Sequence, residues 1–370
     1  MVFKDFVQTW VDRYFSDRQA IVLALLLLVG FGVIITMGGI LAPILASLVV
    51  AYLLETMVQG LHRRAHVGRL PAVLLVYLLF LGFLGVLAFV VLPLMWNQIG
   101  QFAKELPSIV NDLKSALMQL PERYPSYFSP AQVEEISSTA QHELGKLGQT
   151  LLGHSLASLP GLITLMVYLV LVPLLVFFFL KDKGVLIEWV SNYLPRERHL
   201  AGTVWREMEQ QIGNYVRGKV VEVLVVGLAT FIAFVLLDVK YAVMLSVIVG
   251  LSVIVPYVGA TVVTIPVMLA AYFQFGWGSE FGWVVVAYGV IQGLDGNLLV
   301  PLLFSERLNI HPVAIVLAIL VFGGVWGLWG VFFAIPLATL VKTLLNVWPG
   351  LSGEGGSDDS VAVPEEAAAV

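Results

Sequence analysis

The sequence lacks cysteine altogether, so disulfide bonds and metal sites with thiolate ligands are excluded. Charged residues are also scarce, at 12% of the 370 residues, whereas soluble domains carry about 25%. Hydrophobic residues make up 59% of the chain and occur in long runs. A lipid bilayer is the solvent that suits such a composition. The composition therefore predicts a membrane protein whose principal surroundings are membrane lipid.

The sequence also lacks the motifs by which many enzymes are recognised. It contains no H-E-x-x-H, no G-x-S-x-G and no Walker sequence. Asp295 has no second mid-span aspartate with which an intramembrane aspartyl protease would share a proton. Nor is there a concentrated basic stripe for binding nucleic acid. We therefore expect no catalytic residues, no metal site, no cofactor and no nucleic-acid partner.

Apolar runs and helical periodicity divide the chain into seven segments. The pair Gly38-Gly39 predicts a tight turn between the first two spans, 21–37 and 40–58. The segments are an interfacial amphipathic helix at 1–20, three transmembrane helices at 21–95, an external amphipathic helical domain at 96–155, a transmembrane helix at 156–180, cytoplasmic helices at 181–219, a core at 220–348 and a disordered tail at 349–370.

The 20 Lys and Arg residues are distributed unevenly between the predicted loops. With the N-terminus placed in the cytoplasm, 15 of them fall on that side and five on the other. The cytoplasmic set includes Arg63, Arg64, Arg69 and seven residues from Lys181 to Lys219. Because cytoplasmic loops are enriched in basic residues, this distribution predicts that both termini are cytoplasmic.

Two apolar stretches in the second half have lengths that fit neither one span nor two. Residues 241–273 number 33 and are interrupted at Pro256, Tyr257 and Gly259. Residues 312–347 number 36, and their interruptions are Gly323, Gly324, Gly327, Gly330 and, further on, Pro336. Each stretch is too long for one helix across a core of ~30 Å and too short for two spans with a turn.

Two structures are compatible with these stretches. In the first, each is a re-entrant helical hairpin that follows a full span, and the two hairpins enter from opposite sides. This is an inverted repeat, which is typical of secondary transporters. In the second, each stretch forms tilted or kinked spans in which glycine permits close helix packing. We predict the first: an all-α polytopic membrane protein with about six full transmembrane helices plus two re-entrant helical hairpins in an inverted repeat.

Asp295 lies in the middle of the predicted span 281–304, which the sequence Gly293-Leu-Asp-Gly-Asn297 should break. A carboxylate at mid-bilayer depth costs ~2.5 kcal/mol or more, so it marks a candidate functional site. It either binds a substrate or coupling ion, or is held by neighbouring helix N-termini and stabilises the broken helix. Trp326 and Trp329, beside the glycine-rich interruption, are compatible with an aromatic gate and with simple packing.

The predicted substrate or ion pathway combines these polar residues with the interruptions of both apolar stretches. It consists of Asp295, Gln292, Asn297, Gly293, Gly296, Pro256, Tyr257, Gly259, Gly323, Gly324, Gly327, Gly330 and Pro336. Amide and carboxylate side chains would bind the solute or ion, and backbone carbonyls freed where the helices break would join them.

Several motifs in this sequence resemble those of the autoinducer-2 exporter family of permeases. They are Gln211–Gly218, Val255–Gly259, Gln292–Asn297 with Pro301, His311-Pro312, and Phe322–Gly330 with Ala334–Pro336. The resemblance covers nearly the whole chain except the tail. It implies a homo-oligomer in the bacterial inner membrane, linked to export of a small signalling furanone or, in other members, to sodium/proton antiport. Many members carry glutamate where this chain has Asp295.

We therefore expect an inner-membrane secondary transporter or exporter of a small polar solute, coupled to H⁺ or Na⁺ through a mid-membrane carboxylate. A cation/proton antiporter and a non-transporting membrane scaffold are the alternatives. A scaffold would bind other proteins through segment 96–155 and the cytoplasmic helices, but it has no need for Asp295 in hydrocarbon. The intramembrane carboxylate favours transport.

Overall fold

The computed structural model describes residues 18–118, 159–193, 199–256, 258–304 and 311–347, with isolated residues between 129 and 146. All regular elements within these ranges are helices. The helices are α1 (Arg18–Ala65), α2 (Arg69–Val86), α3 (Leu92–Met118), α4 (Leu159–Lys181), α5 (Lys183–Tyr193), α6 (His199–Leu236), α7 (Ala242–Ser252), α8 (Val258–Phe275), α9 (Ser279–Leu294), α10 (Val300–Phe304), α11 (Pro312–Phe332) and α12 (Ala334–Val347). The predicted helix before residue 18, most of the external domain beyond residue 118, Tyr257 and the tail 349–370 lie outside the described residues.

Six described helical stretches are long and apolar enough to cross a membrane. Large apolar side chains such as Leu48, Phe89 and Leu302 are exposed on them, as expected for surfaces that face lipid. The predicted fold class, an all-α polytopic membrane protein with about six spans, is confirmed. Two of the six, 258–275 and 313–332, lie in the stretches predicted to be hairpins.

The predicted turn at Gly38-Gly39 is wrong, because α1 continues through both glycines as one helix of 48 residues. A glycine inside a helix costs only ~1 kcal/mol relative to alanine, and the apolar residues on both sides favour helix. Gly38 has a packing role instead, since the indole of Trp326 occupies the space that its side chain would fill. Without the turn, the charge distribution no longer assigns a side to the N-terminus.

The chain divides into two compact units. One contains residues up to 42, 184–215 and those from 307 onwards, and Leu23, Val204 and Met208 form its buried core. The other contains 43–183 and 216–306, and it has two cores. Val58, Ala72, Val73, Val176 and Leu180 belong to the core that joins α1, α2 and α4, while Phe234, Leu245, Val249, Val267 and Val284 belong to the core around α6 to α9.

Helices α2 and α3 are joined by a π-helical turn at Leu87–Val91. Helix α3 continues across the predicted boundary at residue 96 and past Pro107, so the external segment does not begin with a break. It packs against the start of α7: Gln98 Oε1 accepts the Met244 N–H at 2.8 Å, and the rings of Phe102 and Tyr241 meet edge to face at 5.5 Å. The beginning of the predicted external domain therefore belongs to the second unit.

Helices α7 and α8 form a helical hairpin whose two ends lie side by side. The Lys240 N–H donates to Gln274 Oε1 and Gln274 Nε2 donates to the Asp238 carbonyl, both at 2.6 Å. The chain reverses between α7 and α8, and Gly259 lies so close to the Ser252 carbonyl that a Cβ there would overlap it. With 11 residues, α7 is ~16 Å long, about half the apolar thickness of a bilayer.

The second glycine-rich stretch also reverses direction. Gly327 has φ 59° and ψ −137°, a conformation that glycine adopts without strain, and it divides α11 into two limbs. Beyond it, Gly330 lies against the Phe322 carbonyl and Val331 lies against Gly323, contacts that a straight helix does not make. Pro336 falls in the first turn of α12, where the missing N–H costs nothing.

The first hairpin can be tested with introduced thiols, because the chain has no cysteine. Lys240→Cys combined with Gln274→Cys should cross-link on mild oxidation, since the two residues are hydrogen-bonded. Mass spectrometry of the digested protein would detect the joined peptides. Lys240→Cys with Val258→Cys is the control, because residue 258 is ~24 Å from residue 274 along α8. Equal cross-linking of both pairs, or of neither, contradicts the hairpin.

Candidate functional site

Asp295 opens a π-helical turn, Asp295–Leu299, inside one continuous helical stretch made of α9, the turn and α10. The predicted break in this span is therefore wrong. The extra residue is accommodated by widening one helical turn, and Asn297 Nδ2 donates to the Gly293 carbonyl at 2.8 Å. Among the residues that the structure describes, neither Gly293 nor Gly296 has a neighbour that a Cβ would touch. Such π-helical turns occur frequently at functional sites.

Two side-chain atoms at this turn are buried without a hydrogen-bond partner among the described residues. They are the Oδ1 oxygen of Asp295, an acceptor, and the Nε2 nitrogen of Gln292, a donor. Leaving a buried polar atom unpaired costs ~1–3 kcal/mol. An acceptor and a donor three residues apart are therefore available to a ligand or a proton.

Lys219 and Glu222 form a buried ion pair on α6. Their side chains are 5% and 2% exposed, and Lys219 Nζ lies 2.7 Å from Glu222 Oε2. The same ammonium donates to the Val253 carbonyl at 2.8 Å, at the reversal between α7 and α8. It also lies 5.2 Å from the centroid of the Phe304 ring, which packs over Gly218. The ion pair thus connects α6, the tip of the first hairpin and α10.

Asp295 lies near enough to this ion pair to interact electrostatically with both Lys219 and Glu222. The group therefore combines two carboxylates with one ammonium. Charges in a low-dielectric interior are stable only when they are paired and hydrogen-bonded. With both carboxylates ionised the group has an excess negative charge, which a proton or a bound cation would balance.

The sequence alone does not identify Lys219 and Glu222 as members of the site. The basic-residue distribution places Lys219 at the end of the cytoplasmic helices 181–219, and Glu222 lies near the end of a predicted span, where it is expected to reach the cytoplasmic interface. In the structure α6 runs without interruption through residue 219, and both side chains are buried. One sequence feature does indicate the pair. Lys219 and Glu222 have opposite charges and lie three residues apart at the start of an apolar run, so both fall on one face of a helix.

Part of the predicted pathway lies within one compact unit. Asp295, Gln292, Asn297, Gly293, Gly296, Pro256 and Gly259 belong to the unit that contains Lys219. Gly323, Gly324, Gly327, Gly330 and Pro336 belong to the other unit, and Tyr257 is not among the described residues. The candidate site built here therefore consists of Lys219, Glu222, Gln292, Asp295 and the Val253 carbonyl.

The tip of the second hairpin is packed by aromatic side chains. The rings of Trp329 and Phe333 are stacked at 6.2 Å, and Phe332 meets Phe333 edge to face at 4.8 Å. The buried Trp326 Nε1 lies directly over Gly38 and has no hydrogen-bond partner among the described residues. These contacts give both tryptophans a packing role, while a gating role stays a prediction.

The close approach at this tip predicts a difference between neighbouring glycines. Gly330→Ala should destabilise the protein by ~1–3 kcal/mol, because the new methyl group overlaps the Phe322 carbonyl. Gly324→Ala is the matched control, since the described part of the chain places no packing neighbour within 4 Å of its Cβ position. Thermal unfolding of the two purified variants in one detergent would measure the difference. A Gly330→Ala protein as stable as Gly324→Ala contradicts the described reversal.

Comparison with known proteins agrees with this architecture. The sequence profile described as AI-2E family transporter matches residues 21–350. A protein of Escherichia coli (strain K12) with the name permease PerM is 48% identical over 345 residues, which cover 93% of this chain and 98% of that protein. A protein of Bacillus subtilis (strain 168), named as transport protein YueF, is 26% identical over 315 residues, or 82% of this chain and 83% of the relative. This chain therefore belongs to the AI-2E transporter family.

Proposed function

We propose that this protein is an inner-membrane secondary transporter or exporter of a small polar solute, coupled to H⁺ or Na⁺ at the group of Lys219, Glu222 and Asp295. Two observations support the proposal. The buried group has one carboxylate more than it has ammonium groups, and the Oδ1 oxygen of Asp295 finds no hydrogen-bond partner in the described part of the chain. If binding and release of one positive charge at this group favour different conformations of the protein, solute movement is coupled to an ion gradient. Membership of a transporter family supports the same general function.

A purely structural scaffold does not account for this arrangement. A buried ion pair is weak evidence for stability, because apolar residues of similar volume often stabilise a protein equally well. A charged residue at membrane depth is expensive to insert and is typically associated with an ion or substrate pathway. The presence of three charged residues in this buried group therefore favours a transport function over a scaffolding function.

The irregular backbone beside the charges supports a transport site as well. Residues 253–257 lie between α7 and α8, and the Val253 carbonyl points to Lys219. Backbone outside a helix is tolerated at membrane depth where it is buried in protein or lines a wet cavity. We propose that α7 and α8 form a re-entrant hairpin whose tip lies at the transport site.

The two hairpins are built alike, which supports the proposed inverted repeat. In the first, Gly259 lies against the carbonyl of Ser252, seven residues earlier in the chain. In the second, Gly330 lies against the carbonyl of Phe322, eight residues earlier. A tight helical reversal closed by a glycine therefore occurs at matching places in the two halves, as in transporters with repeated halves.

Cation/proton antiport is a second candidate, and the charge of the site favours it. Two carboxylates facing one ammonium suit exchange of one proton for one monovalent cation, with no organic solute required. The two functions differ in whether an ion gradient drives solute movement or only proton movement. Solute movement and proton movement can both be measured with one preparation of proteoliposomes.

Asp295→Asn should abolish gradient-coupled flux while the protein stays folded, because the amide keeps the shape of the side chain and removes its charge. Asp295→Glu should retain part of the flux. The measurements are efflux of the furanone implied by the family resemblance, and proton movement reported by a pH-sensitive dye under an imposed Na⁺ gradient. Furanone efflux that needs the gradient indicates an exporter, whereas dye response alone indicates an antiporter.

The matched control is Glu280→Gln, which removes an exposed carboxylate at the start of α9. It should transport like the unmodified protein. If Asp295→Asn also transports normally while Asp295→Ala fails to fold, Asp295 has a structural role and the proposed coupling site is wrong. If the unmodified protein moves neither furanone nor protons, the scaffold alternative is favoured.

We propose that the end of the second unit that contains Glu55 is cytoplasmic. Buried Glu55 pairs with Arg69 and Lys183, each at 3.3 Å, and Arg69 also donates to the Leu180 carbonyl at 3.1 Å. The loop between α1 and α2 therefore lies beside the junction of α4 and α5. Both are rich in basic residues, as expected for cytoplasmic loops.

Thiol labelling tests this orientation. An impermeant maleimide should label Ser115→Cys on α3 in intact spheroplasts, because α3 leads away from the opposite end of α2. It should label His66→Cys, in the basic loop, only after the membrane is permeabilised. Both residues are exposed, so access to the reagent is not limited by burial. The reverse labelling pattern would overturn the proposed orientation.

A further inference from the structure

The ammonium of Lys219 occupies a set of ligands that would also suit a free cation. The Glu222 carboxylate lies at 2.7 Å, the Val253 carbonyl at 2.8 Å and the Phe304 ring at 5.2 Å. Carboxylate and carbonyl oxygens are the usual protein ligands of hard cations, and an aromatic face attracts ammonium groups. Lys219 and Glu222 are themselves buried, so this is an enclosed site and not a surface pair.

Asp295 is the second carboxylate of this group. Its carboxylate interacts electrostatically with Lys219, and its Oδ1 oxygen has no hydrogen-bond partner among the described residues. Lysine has a flexible four-carbon chain that can reach more than one acceptor. If the ammonium moves from Glu222 to Asp295, both carboxylates remain balanced only when another cation takes the vacated place.

We propose that Glu222 and the Val253 carbonyl form a binding site for a monovalent cation, and that Lys219 is the tethered occupant with which this cation competes. The inference rests on the proposed function and specifies its coupling site. Two carboxylates with Lys219 and one monovalent cation are neutral, whereas a divalent cation would leave an excess positive charge. Like-charge repulsion prevents a free cation from binding next to Glu222 while the ammonium remains there.

Binding of the cation would also change the group that holds the hairpin tip. Lys219 is the donor that joins α6 to the carbonyl at the hairpin tip, at 2.8 Å. When the ammonium moves to Asp295 this hydrogen bond is lost, and the tip is then held by the exchanged cation instead. Either Lys219 or the bound cation therefore connects the hairpin to α6. Occupancy of the cation site is thereby linked to the position of the hairpin tip.

The test uses purified full-length protein and the variant Lys219→Ala. This variant leaves Glu222 without its counter-ion, so its melting temperature should fall below that of the unmodified protein. Propylammonium, which replaces the lost part of the side chain, should raise the melting temperature again in a saturable manner. Tetramethylammonium at the same concentration is the control for ionic strength, because it has no N–H group and should have no effect.

Two further variants keep the test decisive. Lys219→Gln retains a donor for the Val253 carbonyl and serves if Lys219→Ala does not fold. It should bind Na⁺ at least about tenfold more tightly than the unmodified protein, in which Lys219 competes. Lys219→Ala with Glu222→Gln removes both charges, so it should be more stable than Lys219→Ala alone and should not respond to propylammonium.

Equal effects of propylammonium and tetramethylammonium on Lys219→Ala, together with unchanged Na⁺ binding by Lys219→Gln, would overturn the inference and leave Lys219 as a fixed counter-ion. These binding measurements involve no flux. Rescue by propylammonium in a protein that transports nothing would contradict the proposed function alone. Normal coupled flux without any rescue would contradict only the competition proposed here.

Discussion

The ion pair between Lys219 and Glu222 determines much of the surrounding structure. Both side chains are buried, so each must satisfy its charge within the protein. Lys219 does so by contacting a carboxylate on its own helix and a carbonyl at the reversal between α7 and α8. Because that carbonyl lies outside regular helix, the same contact holds irregular backbone that lipid would not tolerate. The ammonium group thus joins the first hairpin tip to α6.

Glycine makes the close approaches on which both hairpins depend. Gly250 lies against Gly227 of α6, and Gly259 lies against the backbone of Ser252, so the backbones meet without intervening side chains. Lipid does not drive helices together through the hydrophobic effect, so close packing of this kind supplies much of the association. The contacts at Gly330 have the same form in the other unit. Packing and irregular backbone are therefore combined at both tips.

The polar residues of the candidate site were partly accessible to sequence reasoning. Asp295 stands out because a carboxylate in the middle of an apolar helix is rare, and Gln292 follows from it by proximity. Lys219 does not stand out, since a basic residue next to an apolar run is equally compatible with a loop at the membrane surface. Only the uninterrupted course of α6, and the elements packed against it, distinguish a buried lysine from an interfacial one.

The membrane environment, the helical class and the interruptions at 256–259 and 323–330 follow from the sequence, whereas the break expected at 293–297 does not occur. Each of these depends on composition and local backbone preference: long apolar runs need lipid, and Gly and Pro weaken helices wherever they occur. The tertiary structure determines whether the chain continues as a helix or reverses at these Gly and Pro positions. Gly38-Gly39 and Pro107 stay inside helices, whereas Gly327 reverses the chain. The reason is that a glycine permits many conformations with similar energies, so the contacts of its neighbours select one of them. The pairing of Lys219 with Glu222 and the Val253 carbonyl likewise depends on tertiary structure, because the carbonyl is 34 residues distant in sequence.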